Sequence, residues 1–216
     1  MRRHLPVLAI FFLLGGCTRP AKHEGSSAPS ASIRVPAPPG FTLTSPDVES
    51  RPGCGPGGDA TACAFFATDN TRMGADVSPA FAWKRAPKGT RSYAIALHDL
   101  SNLRDGDPFT HWAMWNIPGS QASLSARLPP GTEPGVPSVA TRQASFRSDQ
   151  AFTGSGACGN VYEFVLYALG VDTFEPKKPD SADAVEAELA AAKSVLGTAS
   201  LRARCNPAGP CKEIHR

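Results

Sequence analysis

Three short apolar segments closed by turn residues dictate what this chain can become: Ser92–Asp99 (SYAIALHD), Thr110–Ile117 (THWAMWNI) and Val161–Gly170 (VYEFVLYALG). Each is too short for a typical helix of the observed apolar density, and the third is rich in β-branched and aromatic residues, so all three are read as sheet strands. Pro87-Lys88-Gly89-Thr90 precedes the first and Pro118-Gly119 ends the second. The same punctuation runs through the chain, with 20 Gly and 21 Pro among 216 residues. That exceeds the roughly 12% of average proteins and excludes a helix bundle or coiled coil. Phe41–Ser45, Ala80–Trp83 and Ala199–Arg204 are expected to add outer strands. One helix is expected, over Ala182–Leu196, where Val185, Leu189, Ala192 and Leu196 recur at helical spacing behind an Asp180 or Ser181 cap, with Gly197 just past its end. The fold class is therefore mostly β with a peripheral helix.

The first sixteen residues read as a targeting segment. Arg2 and Arg3 precede the apolar run Leu5–Leu14, which is too short to span a bilayer. The run ends in Leu14-Gly15-Gly16-Cys17, a spacing that resembles a bacterial lipobox; there the cysteine is lipidated, with palmitate among the acyl chains, and becomes the first residue after cleavage. The alternative is a plain signal peptide with an incidental cysteine. Losing the two arginines lowers the formal net charge from +3 to +1. With 41% hydrophobic and 19% charged residues, the chain is expected to fold and has no charge signature of a nucleic-acid binder. Residues 17–39 are rich in Pro, Ala and Ser and read as the lipidated cysteine and a tether, residues 40–205 as the folded domain, and 206–216 as a tail. The expected location is the bacterial envelope, on the outer membrane facing the periplasm, with the membrane as partner through the anchor.

Outside the cytoplasm disulfides persist, and Cys54–Cys63 and Cys205–Cys211 each bracket a turn-rich loop, so each pair reads as a local disulfide. Cys158 is left over, read as a buried thiol. No spacing suits a metal, and no metal or other cofactor is expected. Nucleophilic catalysis finds no elbow motif, because Phe152-Thr153-Gly154-Ser155-Gly156 lacks its first glycine, and Gly154–Gly159 lacks the residues of a phosphate loop. That glycine run reads instead as a tight loop whose N–H groups face a ligand or solvent. Asp76, before Ser78-Pro79, is expected to fix a local turn. Trp83, Trp112 and Trp115 read as core or pocket walls, and His98 as a surface or sheet-face residue.

If the strands alternate, Asp99 shares a face with Tyr93, Ile95 and Leu97, and His111 with Ala113, Trp115 and Ile117. A carboxylate and an imidazole at adjacent strand ends make a small polar pocket, in which the acid raises the imidazole pKa and the protonated ring donates to an anion. The alternative is that both groups satisfy loop backbone.

Three pieces in order, Gly74–Trp83 (GADVSPAFAW), Ala86–Ala94 (APKGTRSYA) and His111–Pro118 (HWAMWNIP), followed by Phe152-Thr153-Gly154 and Tyr162–Leu169, resemble the phosphatidylethanolamine-binding protein family, in its bacterial Raf-kinase-inhibitor-like branch. The resemblance implies a large central antiparallel β-sheet with a smaller sheet and peripheral helices. It also implies a small anion pocket at the sheet end for phosphate or a phosphorylated head group. Carried onto this chain, the ligand-binding residues are Asp99, His111 and Tyr162, with Trp112, Gly154 and Ser155 on the wall. Leu100-Ser101-Asn102 stands where the family has a second acid and prolines, Gly154–Cys158 replaces a proline-rich loop, and family histidines fall on Asn160 and Ser194. The expected function is binding of a small anion or phosphoryl group without catalysis. Alternatives are a protein-interaction module, such as a protease or kinase inhibitor with a protein partner, and a weak hydrolase using the same pocket.

Overall fold

The computed structural model describes residues 38–50, 64–157 and 159–205. The leader at 1–16, Cys17, most of the tether, the Cys54–Cys63 loop, Cys158 and Cys211 lie outside the described residues. The chain order is β1 (Thr42–Thr44), β2 (Val48–Ser50), β3 (Ala64–Phe66), β4 (Phe81–Lys84), β5 (Ser92–Arg104), β6 (Asp107–Pro118), β7 (Ser123–Leu124), β8 (Arg142–Ser145), β9 (Val161–Leu169), α1 (Ala182–Ala191) and β10 (Val195–Arg204). A seven-stranded sheet runs β2-β3-β10-β9-β5-β6-β8, and a three-stranded sheet runs β1-β4-β7. Between the named strands of the described residues, only the β3–β10 pairing is parallel.

The three apolar segments form the centre of the large sheet, where both faces must be covered. On one face Tyr93, Ile95, Leu97, Trp112, Met114, Phe164 and Leu166 pack against Leu43, Phe81, Trp83 and Leu124 of the small sheet. On the other, Ala94, Ala96, Ala113, Trp115, Val165 and Tyr167 receive Ala182, Val185 and Leu189 of α1. Alanines predominate on the β5 part of that second face because a helix must lie close to it. Each buried aromatic ring removes 150–250 Å² from water, worth about 4–6 kcal/mol before ordering costs, so the sandwich interface dominates stability. Cys205 lies in this first core, 1% exposed.

β5 and β6 run past their apolar segments to Arg104 and back from Asp107. Asp105 and Gly106 join them with φ of 54° and 94°, the two positive values a tight two-residue hairpin needs for its twist to match the strands. Strict alternation fails twice in β6. Tyr93 faces Ile117 while Ile95 faces Met114, so Trp115 and Asn116 stand opposite Ala94 in a bulge, and Asn116 takes φ 58°. The bulge corrects the expected face of Ile117, which joins the first core while Ala113 and Trp115 remain in the second.

The helix is also shorter than its periodicity implied. Ser181 caps it, its Oγ accepting from the Ala184 N–H at 3.3 Å, but Ala192 is already extended. Val195 pairs with Leu169 of β9, and this edge pairing outcompetes another helical turn. Leu196 is consequently half-exposed on β10 instead of helix-facing. Gly197 sits in the strand, where a Cβ would come within 2.7 Å of Pro38, so close packing, not a helix terminus, requires glycine there.

Candidate functional site

Asp99 on β5 is directly opposite Tyr162 on β9 and Phe109 on β6. This register alone puts the acid and the phenol on one face. His111 reaches them by a second bulge: Leu97 faces Trp112 and His98 faces Thr110, so His111 is the extra residue. It turns toward the same face as its neighbour Trp112, where alternation had put it with Ala113 and Trp115. Asp99, His111 and Tyr162 are 3%, 4% and 0% exposed, and the His111 and Tyr162 ring centroids lie 5.3 Å apart.

Asp99 is held by donors on several sides. The Asn160 amide Nδ2 donates to both carboxylate oxygens, at 3.2 and 3.0 Å, and the Ser101 N–H donates to Oδ1 at 3.0 Å. The Tyr162 hydroxyl accepts from the Gly156 and Ala157 N–H groups at 3.2 and 3.3 Å. Burial first, then the Asp99 charge, push the phenol pKa well above its ordinary range, against the pull of the two N–H donors. The phenol expected to donate to an anion keeps its proton and accepts two loop N–H groups.

His111 Nδ1 lies 3.0 Å from the Gly154 carbonyl oxygen. Because a carbonyl only accepts, Nδ1 carries the proton and Nε2 is left as the acceptor in the neutral ring. Nε2 stands 3.9 Å from Asp99 Oδ2, too far for a hydrogen bond. The expected rise of the imidazole pKa is reversed: burial is the largest influence and lowers it, outweighing the Gly154 carbonyl and the Asp99 charge, while Arg72 lowers it further. The neutral ring and the Asp99 side chain therefore face each other without a direct hydrogen bond, and Nε2 is left open to a ligand.

The loop at 154–157 is fixed from behind. Asp76, at φ 52°, accepts the Gly154 N–H at 2.8 Å through Oδ1 and the Arg147 guanidinium at 2.9 Å through Oδ2. This long-range tie replaces the local turn expected of Asp76. Thr71 pairs with Ser155 in a parallel bridge, and the Arg72 N–H donates to the Ser155 carbonyl at 2.9 Å. Gly154 presses its Cα against the Asn70 carbonyl, where a Cβ would come within 2.0 Å. Ser155 is 1% exposed, and its Oγ has no partner among the described residues. Trp112 belongs to the core beneath, donating from Nε1 to Gln143 Oε1 at 3.0 Å and packing on Phe152.

Phe109 and Phe146 flank His111, with centroids 5.2 and 5.1 Å away. No sequence pattern singles out either ring or Arg72: Phe146 and Arg72 lie far along the chain from the residues they meet, and Phe109 comes to His111 through the bulge at that residue. His98 lies on the opposite sheet face, buried, with Nε2 3.2 Å from Glu186 Oε1 of α1. Cavities of about 440 Å³ against Trp115 and Arg142, and about 250 Å³ beside Asp69 and Arg127, contain none of Asp99, His111 and Tyr162. The chemistry gathers in the enclosed cluster, not in these open clefts. Among the described residues no group of three or more His, Cys, Asp or Glu side chains is placed to hold a metal ion.

Two packed β-sheets carrying an enclosed acid–imidazole–phenol cluster at the end of the central strands define the class. The sequence model described as phosphatidylethanolamine-binding protein matches residues 54–206, and the chain belongs to that family. Among curated proteins, it is 29% identical over 103 residues to the UPF0098 protein YbcL of Escherichia coli K12, covering 44% of this chain and 54% of that one. The chain thus spans about half the length of the curated relative it matches. The crystal structure of E. coli YbcL, described as a new member of the mammalian PEBP family, superposes with a TM-score of 0.56 at 19% identity, covering 77% of this chain and 98% of that one. A phosphatidylethanolamine-binding protein homologue from Chlamydia trachomatis, CT736, gives 0.55 at 15% identity, covering 77% and 97%. Both establish the fold, which is mostly β with a large and a small sheet, as the sequence implied.

Proposed function

We propose that the domain binds a small anionic or phosphoryl-containing ligand at the Asp99–His111–Tyr162 cluster, without catalysing its conversion. It would work from a lipid anchor at Cys17 in the bacterial envelope; acylation of Cys17, read by mass spectrometry of the natively purified protein, tests that placement. The observation that carries the ligand reading is His111 Nε2, which makes no hydrogen bond and stands 3.9 Å from Asp99 Oδ2 in a buried cluster. An entering oxyanion favours the protonated ring, because Nε2–H then donates to it while Asp99 stays satisfied by Asn160 and Ser101.

The sign of the pH dependence follows. Burial keeps His111 neutral in the free protein, so anion binding takes up a proton and affinity falls as pH rises. Calorimetric titration with inorganic phosphate at mildly acidic pH, on wild type and His111→Ala, tests the reading. Loss of binding in the variant supports it, and equal affinity in both refutes it. The nearest rival in chemistry, a hydrolase, requires turnover of generic phosphoester substrates that His111→Ala abolishes.

A further inference from the structure

The donors around the cluster can be followed one by one. Both Asn160 contacts go to Asp99, as does the Ser101 N–H. The Gly156 and Ala157 N–H groups go to Tyr162, the Gly154 N–H to Asp76 and His111 Nδ1 to Gly154. What remains is the Tyr162 hydroxyl proton, His111 Nε2 once the ring is protonated, the unpartnered Ser155 Oγ and the guanidinium of Arg72. Arg72 forms no ion pair among the described residues. Its side chain lies over Gly156: a Cβ there would stand 2.9 Å from Cδ and 3.3 Å from a terminal nitrogen. The same Gly156 donates to Tyr162, so Arg72 reaches the cluster across a single residue. The Arg72 charge is also felt at His111. A half-buried cation with no ion pair among the described residues, over the loop that flanks His111 and Tyr162, awaits a negative group from outside the chain.

We propose that Arg72 is the charge partner of the ligand and makes the site selective for a terminal phosphate monoester over a phosphodiester. This rests on the ligand site proposed above. The selectivity is a count of oxygens. A guanidinium fork takes two oxygens of one phosphoryl group, and His111 Nε2 takes a third. A monoester or inorganic phosphate presents three unesterified oxygens, whereas a diester presents two. The enclosure of the cluster agrees, since a group that enters end-on has only one ester arm to accommodate.

The test uses methyl phosphate and dimethyl phosphate, titrated calorimetrically into wild type, Arg72→Gln and Arg72→Lys, with thermal unfolding as the check that each is folded. Wild type is expected to bind methyl phosphate at least about tenfold more tightly than dimethyl phosphate. Arg72→Gln is expected to lose about tenfold for methyl phosphate and to discriminate less. Arg72→Lys keeps a point charge without the fork, so it retains part of the affinity but little of the discrimination. Folded Arg72→Gln or Arg72→Lys with wild-type affinity and ratio overturns the assignment of Arg72 while leaving the site intact. Wild type that binds neither probe refutes the underlying site.

Discussion

Two glycines in one loop separate the two physical reasons a position can demand glycine. At Gly154 an added Cβ would fall 2.0 Å from the Asn70 carbonyl oxygen and 3.0 Å from its carbon. Both are backbone atoms, so no rotamer change relieves the clash. Asn70 is itself pinned, its N–H donating to the Ala67 carbonyl and its Nδ2 to the Val77 carbonyl at 3.0 Å. Overpacking costs 1–3 kcal/mol where side chains can adjust, so Gly154→Ala is expected at the upper end, about 3 kcal/mol. At Gly159 nothing lies within 4 Å, and the cost is only that of φ 79°, about 1 kcal/mol for a residue with a Cβ. For a domain of this size each kcal/mol moves Tm by about 2–4 °C. Thermal unfolding followed by circular dichroism should show Gly154→Ala lower by about 6–12 °C and Gly159→Ala by about 2–4 °C. Because the Gly154 carbonyl holds His111 Nδ1, phosphate affinity should fall in the first variant and hold in the second. Equal Tm losses, or a larger loss at Gly159, would refute the assignment of close approach to one and dihedral strain to the other.

His111 titrates below its ordinary 6.5 because burial disfavours its charged form, so the unfolded chain binds its proton first as pH falls. Stability is therefore complete above pH 6.5 and declines below it, and this component should vanish from the pH profile of Tm in His111→Gln; a profile unchanged by the substitution contradicts it. Leu189, fully buried against the second face of the large sheet, should cost about 2–5 kcal/mol when replaced by Ala in urea unfolding. A loss below about 1 kcal/mol would mean that α1 is not the cover of that face.

The central strands were legible because their burial on both faces leaves only one reading of their composition. The helix end was not. Leu196 continues the helical period of Leu189 and Ala192, but the pairing of Val195 with Leu169 comes from a strand far back in the chain, and no local pattern announces it. Bulges are equally hidden. Nothing near Asn116 states that Ile117 will change face, except that Asn tolerates the positive φ the bulge requires.

The site divides along the same line. Asp99 and Tyr162 share a face because their strands pair in simple register, which composition and alternation can anticipate. His111 arrives through an extra residue, and Arg72 through the bridge between Thr71 and Ser155. What sequence could not supply was the direction of the donors. By the family resemblance a histidine is expected at Asn160, and residue identity alone suggests a lost ligand contact. Its geometry gives another meaning: a neutral amide satisfies both oxygens of Asp99 and leaves the carboxylate charge in place. The proposed anion would then enter beside Asp99, and two positive charges would offset the repulsion, one taken up by His111 Nε2 on binding and one carried by Arg72. In that proposal charge recognition rests on the segment at 71–72, on the other side of the loop from Asn160, which stands just before β9.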